Sequence, residues 1–192
     1  RMMPATQMVF LELYYMDEGV SALKSEIASK LNLTKTSITR CTAQLEQMGL
    51  ITQKKSGTEI WVKRNSLRKE YYENAKQYLI NPIQKCITVA HEEIKDQAFK
   101  AGESALSNKT ELNPPSIEEL AIYKGAEIID QLVIMDSRYE EHNKCARLQL
   151  WKYDPSYFVK DGMVDPISLA CTFTDNEDER IEMCLEELLE DN

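Results

Sequence analysis

LKSEIASKLNLTKTSITRCTAQLEQMGL, residues 23–50, is the stretch on which the fold of this 192-residue chain turns. Leu23, Ile27 and Leu31 recur at i, i+4 and i+8, which places them on one face of a short helix beginning after Ser21. Asn32-Leu33 leaves room only for a tight connection. Thr34 then carries the hydroxyl of a good N-cap, and Ile38, Cys41, Leu45 and Met48 follow at steps of three, four and three, an inward stripe. Gly49 supplies the left-handed residue on which a helix ends. Two helices joined this closely leave at a steep angle, with the N-terminal end of the second free to enter a DNA major groove.

The outward face of that second helix decides between a DNA reader and an ordinary helical bundle. Lys35, Thr36, Ser37, Thr39, Arg40, Gln44 and Gln47 occupy it, and no carboxylate intervenes before Glu46. Arg forks onto guanine, Gln pairs with adenine, and Ser, Thr and Lys hold phosphates. A polar surface helix that merely lacks acids is the plain alternative. Two short β-type runs follow, Leu50 to Lys55 and Thr58 to Lys63, around the turn Ser56-Gly57. Lys54, Lys55, Ser56 and Thr58 put two cations and two hydroxyls at the tip of this hairpin. Alone such a tip reads as a solubilising turn; directly after a helix-turn-helix it reads as a wing suited to flanking phosphates. Upstream, Pro4 suits a first helical turn, and Met8, Leu11 and Tyr15 recur at helical spacing as far as Asp17-Glu18-Gly19. Residues 1–64 are therefore expected to form a winged helix-turn-helix.

A formal net charge of −9 argues against a nucleic-acid binder if it is spread evenly. It is not. Residues 1–64 carry nine Lys/Arg against six acids, a net of +3, and the remainder carries fourteen against twenty-six, a net of −12. Attraction to phosphate is local and is screened beyond ~8–10 Å, so the basic segment can bind DNA while the acidic one faces away.

Beyond the hairpin, Ser66 can cap a helix bearing Leu67, Tyr71, Ala75 and Leu79. Asn81-Pro82 interrupts it, Ile83, Ile87, Ala90 and Ile94 continue a helical spacing to about residue 95, and Gln97 to Ser107 is helix-compatible. Residues 65–107 thus read as a helical linker with possible dimerisation helices. Asn108 to Ser116, with Pro114-Pro115, is a loop. Residues 108–192 read as a small acidic α/β domain: a strand at Leu120 to Tyr123, a helix at Ala126 to Met135, a strand at Ala146 to Trp151, and an ambiguous run from Val164 to Thr174. An amphipathic helix from Asp178 to Glu190 closes it, with Ile181, Leu185, Leu188 and Leu189 inward. The fold class is α+β. The acid-rich end from Asp175 to Asp191 is a solvated helix face, a protein-docking surface or a shield that keeps this domain off DNA.

The chemistry-bearing residues elsewhere are sparse. Cys41, Cys86, Cys145, Cys171 and Cys184 form no C-x-x-C pair, which fits buried hydrophobes better than a zinc site or a disulfide framework. A redox-sensing Cys41, inside the DNA-reading helix, is the functional alternative. Asp154, Asp161 and Asp165 lack ligand spacing, and neither His91 nor His142 has a carboxylate or nucleophile arranged for catalysis. Tyr71, Tyr72 and Tyr78 with Trp61 read as packing residues. No cofactor, metal or catalytic residue is expected, and no enzyme activity. No run reaches the ~18–20 apolar residues of a membrane span, and Arg1-Met2-Met3-Pro4 lacks the apolar run of a signal peptide, so the expected location is the cytoplasm.

The stretch from Leu23 to Arg40, continued by Leu45-Glu-Gln-Met-Gly-Leu-Ile, resembles the winged helix of the MarR family of bacterial regulators. The resemblance covers about a third of the chain and lies above all in the exit from leucine through Gly-Leu-Ile into the wing. It implies a homodimer binding a near-palindromic double-stranded operator, usually as a repressor. The Asp-x-Arg wing motif of that family is missing here, and the C-terminal half does not resemble its dimerisation helices. Ala101-Gly-Glu-Ser-Ala-Leu, Leu150-Trp-Lys-Tyr-Asp-Pro and Val164-Asp-Pro-Ile-Ser-Leu resemble regulators and antitoxins of the AbiEi kind. That resemblance implies the alternative function: an antitoxin or interaction module whose C-terminal domain binds a partner protein, with DNA binding secondary. A small-molecule effector or a protein partner at the C-terminal domain is compatible with either.

Overall fold

The computed structural model describes residues 1–136 and 138–190. They form two compact units that divide between Ile80 and Asn81. The first contains α1 (Pro4–Tyr14), β1 (Ala22–Leu23), α2 (Lys24–Lys30), α3 (Lys35–Gln47), β2 (Ile51–Ser56), β3 (Glu59–Arg64) and α4 (Arg68–Ala75).

Pro4 starts α1, where its missing N–H costs nothing. Thr6 through Leu11, Leu13 and Tyr14 are all buried, so α1 is a central post and not a one-sided surface helix. Tyr15 falls just past its end and is half-buried. Phe10 stacks on Tyr71 of α4 with ring centroids 4.5 Å apart, and the Tyr71 hydroxyl donates to the Phe10 carbonyl at 3.0 Å.

The helix expected after Ser21 begins later, at Lys24. Ala22 and Leu23 are extended and pair antiparallel with Val62 and Trp61, adding a third strand to the wing in the order β1-β3-β2. The edge of β3 offers unpaired backbone groups, and satisfying them outweighs one more turn of helix. Ile27 and Leu31 point inward as the spacing requires. The Thr34 hydroxyl accepts the Ser37 N–H at 3.1 Å, which starts α3, and Gly49 at φ +78° ends it. The hairpin pairs Ile51 with Arg64 through Ser56 with Glu59, leaving Gly57-Thr58 as its two-residue loop. Gly57 at φ +63° takes the position where a type II′ turn calls for glycine. Leu67, not Ser66, is the N-cap of α4, and it offers no side-chain cap.

The second unit holds β4 (Ile83–Ala90), α5 (His91–Ile94), β5 (Phe99–Lys100), α6 (Gly102–Lys109), β6 (Glu118–Tyr123), β7 (Cys145–Trp151), α7 (Pro166–Cys171) and α8 (Glu179–Glu190). Its sheet runs β4-β7-β6-β5, with β7 antiparallel to β4 and parallel to β6. The helical reading of residues 83–95 is corrected here: most of it is the edge strand β4, so residues 65–107 are not a continuous helical linker. Ile83 and Ile87 are four apart, a spacing that satisfies a helix and a strand equally. The β-branched run Ile87-Thr88-Val89 tips the balance toward strand, and only His91–Ile94 remains helical. The helix expected over residues 126–135 shrinks to a 3-10 turn at Glu127–Gln131.

Strand β7 lies where alternation places it, and β6 covers the short strand expected at Leu120 to Tyr123. The ambiguous run from Val164 holds α7, capped by the Asp165 carboxylate, which accepts the Ser168 N–H at 3.0 Å. In α8, Ile181, Leu185 and Leu188 face inward and Leu189 is half-buried. Val89, Leu120, Ile122, Ala146, Leu148 and Leu150 form a core on one face of the sheet, with Ile94 of α5 packed into it. Among the described residues no helix is long and apolar enough to cross a membrane.

Candidate nucleic-acid interface

Helix α3 separates its faces cleanly. Ile38, Cys41, Thr42 and Leu45 are buried, while Lys35, Thr36, Thr39, Arg40 and Gln47 are exposed. Lys35, Thr36, Thr39 and Arg40 thus stand together on the solvent side of the first two turns. The free N–H groups and partial positive charge of the helix N-terminus lie at the same end. Ser37 is half-buried. Gln44 is also half-buried, and its Oε1 accepts the Met3 N–H at 3.4 Å, anchoring α3 to the start of α1.

Glu46, the acid nearest this face, is turned away. Its Oε2 accepts the Gln53 N–H at 3.2 Å, which ties the end of α3 to the first wing strand. A second acid, Glu12, is neutralised by Lys30 at 2.6 Å. The Glu46 contact draws that carboxylate toward the wing backbone.

In the wing, Lys54, Lys55, Ser56 and Thr58 are all exposed. The register divides them. Lys54 lies opposite Trp61 and Lys55 opposite Ile60, so the two lysines project from opposite faces of the hairpin. Lys63, exposed and opposite Thr52, shares the face of Lys54. Sequence reasoning passed over Lys63, although the two-residue period across the turn could have found it.

Not every cation of this segment belongs to the surface. The Arg64 side chain is only 6 % exposed and is spent inside the unit. Cys41 is fully buried, and burial pushes its thiol above the ordinary range. A redox sensor needs an accessible thiolate, and Cys41 offers neither access nor thiolate.

The second unit brings together groups the sequence keeps apart. His91 Nε2 lies 2.9 Å from Glu118 Oε2, a carboxylate partner that spacing alone did not suggest. Both histidines line one open cleft, together with Lys100, Ser104 and Cys145. Asp154 caps the 3-10 turn at Pro155–Tyr157, as Asp165 caps α7. Among the described residues no group of three or more His, Cys, Asp or Glu could hold a metal ion.

Three helices, a three-stranded wing and a cationic, hydroxyl-rich third helix define a winged helix-turn-helix, the fold of DNA-binding transcriptional regulators. Residues 4–58 match the model of the MarR family, so this part of the first unit is similar to the winged helix-turn-helix of those regulators. The match covers under a third of the chain and stops at the wing tip. No curated protein and no solved structure matches the chain.

Proposed function

We propose that this protein represses transcription as a homodimer, reading a near-palindromic operator with α3 in the major groove. Lys35, Thr36, Thr39 and Arg40 meet the bases and nearest phosphates, with Ser37 and Gln44 at the margin of that face. Ser56 and Thr58 at the wing tip, with the lysine of whichever hairpin face turns to the duplex, Lys54 or Lys55, meet flanking phosphates. One observation carries the reading: four adjacent polar side chains on the first two turns of α3 are exposed together while its apolar stripe is buried. A helix stabilised only as a surface element has no need to exclude carboxylates from that face, and here Glu46 is held by the wing backbone.

Fluorescence anisotropy of the full chain on the DNA upstream of its own gene, across a salt series, tests this. Arg40→Ala should weaken operator binding by ~1–3 kcal/mol and relax the choice of base at one position in each half-site. Operator binding that is unchanged in Arg40→Ala and Lys35→Ala would remove α3 from the interface. Repression itself is read from a reporter fused to the same upstream region, which should rise when the gene is deleted.

A further inference from the structure

The second unit carries an open cleft of about 650 Å³ on the sheet face away from its apolar core. Its floor is polar. Thr88, Arg147 and Glu119 lie side by side on β4, β7 and β6, and Cys86 and Gln149 form the next row. Phe173, just beyond α7, and the start of α6 form walls.

Arg147 stands on a strand flanked by neighbours on both sides, yet it is exposed. Among the described residues its side chain makes no hydrogen bond or ion pair. Glu119 is its direct neighbour in register, with opposite charge and on the same face, which is the arrangement from which a cross-strand ion pair forms. The pair stays open. Glu119 turns instead onto α6, where its Oε1 accepts the Glu103 N–H at 2.8 Å. Gly102 makes this possible, because a Cβ there would lie 2.8 Å from the Glu119 carboxylate carbon. Beside Arg147, Gln149 is only 4 % exposed, and its Oε1 accepts the Trp151 indole N–H at 3.0 Å. Its amide NH2 is left as a donor without a partner among the described residues.

The cleft therefore holds a cation and an amide donor on one side and the carboxylates of Glu119 and Glu103 on the other. We propose that it binds a free α-amino acid with an apolar side chain. The ligand carboxylate is forked by Arg147 and supported by the Gln149 amide, and its ammonium lies against Glu119 and Glu103. The side chain lies along Phe173. A zwitterion closes both halves of the open pair at once, with acceptors meeting donors at each end. Charge excludes the nearest competitors. Arg147 and Lys85 offset Glu103 and Glu119 among the lining residues, so the cleft as a whole attracts neither a polyanion nor a polycation. The cleft is also of the size that small ligands occupy, ~300–1,000 Å³. This site does not depend on the DNA-binding reading, and it is tested without DNA.

The experiment is isothermal titration calorimetry of the full chain at neutral pH with L-leucine, L-methionine and L-phenylalanine as probes. Two analogues of leucine accompany them, 4-methylpentanoate without the ammonium and isoamylamine without the carboxylate. At least one amino acid should bind, and each analogue should bind about tenfold more weakly or not at all. Arg147→Gln, at an exposed position where the fold is indifferent, should lose that binding about tenfold or more, and Arg147→Lys should keep part of it. Glu103→Gln should weaken the amino acid and leave 4-methylpentanoate unchanged. No heat with any of the three amino acids overturns the proposal. So does binding of 4-methylpentanoate as tight as that of leucine, or wild-type affinity in Arg147→Gln.

Discussion

Arg64 donates from Nη1 to the carbonyl oxygen of Tyr14 at 3.0 Å, at the C-terminal end of α1. Arg68 donates to the same carbonyl at 2.8 Å and to that of Met16 at 2.9 Å, and Glu18 pairs with Arg64 at 3.2 Å. Two guanidinium groups thus satisfy carbonyls that a helix end leaves orphaned, and they oppose its negative dipole end. By charge alone Arg64 counts toward DNA attraction; by position it belongs to the core. Arg64→Met should therefore cost ~2–3 kcal/mol of stability through the lost charged hydrogen bonds of its guanidinium, although Arg68 still holds the Tyr14 carbonyl. Urea unfolding measures this, and the salt dependence of DNA binding by the folded variant should match wild type. A lowered salt slope with unchanged stability would place Arg64 on the DNA instead.

The opposed faces of Lys54 and Lys55 make a sharper prediction for the wing. Each phosphate contact adds ~0.9 to the slope of log affinity against log salt. Lys54 shares its hairpin face with Lys63, and Lys55 does not. One face of the wing hairpin can lie against a phosphate row at a time. Alanine at Lys54 and at Lys63 should then lower the slope together while alanine at Lys55 leaves it, or the reverse. Equal losses at Lys54 and Lys55 would show that the wing enters edge-on, with its tip between two phosphate rows.

The parts of the fold that could be read from residues are those in which one local rule acts without competition. Thr34 caps, Gly49 ends, and the stripe from Ile38 to Leu45 points inward, so α3 and its exposed face follow from the sequence. Elsewhere a second force enters. Leu23 fits a helical stripe, but the open edge of β3 takes it into a sheet. Ile83 and Ile87 fit both periods, and the pairing of β4 with β7 decides. Gln44 looks like an outward reader until the Met3 N–H from a distant segment claims its oxygen. The cleft at Arg147 was hidden for the same reason. Its members come from β4, β6, β7 and α6, and their relation exists only in the register of the sheet.

Cysteine chemistry offers a test of packing in both units. Cys86 is exposed, Cys184 is half-buried, and Cys41, Cys145 and Cys171 are buried. Burial pushes the Cys171 thiol up to about 12, with the nearby charge of Asp165 adding to the rise. The Cys86 thiol is also raised, chiefly by desolvation on the cleft floor. Because the thiolate is the nucleophile, iodoacetamide at neutral pH should label Cys86 first, and more slowly than free cysteine. Cys171 and Cys41 should label only when the chain unfolds. Peptide mapping by mass spectrometry reads the order, and native-state labelling of Cys171 as fast as Cys86 would mean that α7 is not packed as described.

Gly102 and Glu119 link the stability of the second unit to pH. Gly102 adopts φ +53°, and its missing Cβ leaves space for the Glu119 carboxylate. Gly102→Ala should cost ~1–2 kcal/mol for the left-handed backbone alone. It should also cost the Glu103 N–H its partner, since Glu119 has room to swing away. Adding Glu119→Ala to that variant should change stability less than Glu119→Ala does in wild type, because the contact is already lost. Burial raises the Glu119 carboxyl above its ordinary value of 4.5. The folded state therefore holds that proton more tightly than the unfolded chain. Its ionisation imposes a cost that is absent below the unfolded value, grows as pH rises toward the folded value, and is constant above it. Glu119→Gln keeps an oxygen for the Glu103 N–H and removes the titration. The stability of Glu119→Gln relative to wild type should therefore rise with pH across that window and then level off. A difference that falls with rising pH would mean that the ionised carboxylate is stabilised where it lies, by α6 and Arg147, more than burial penalises it.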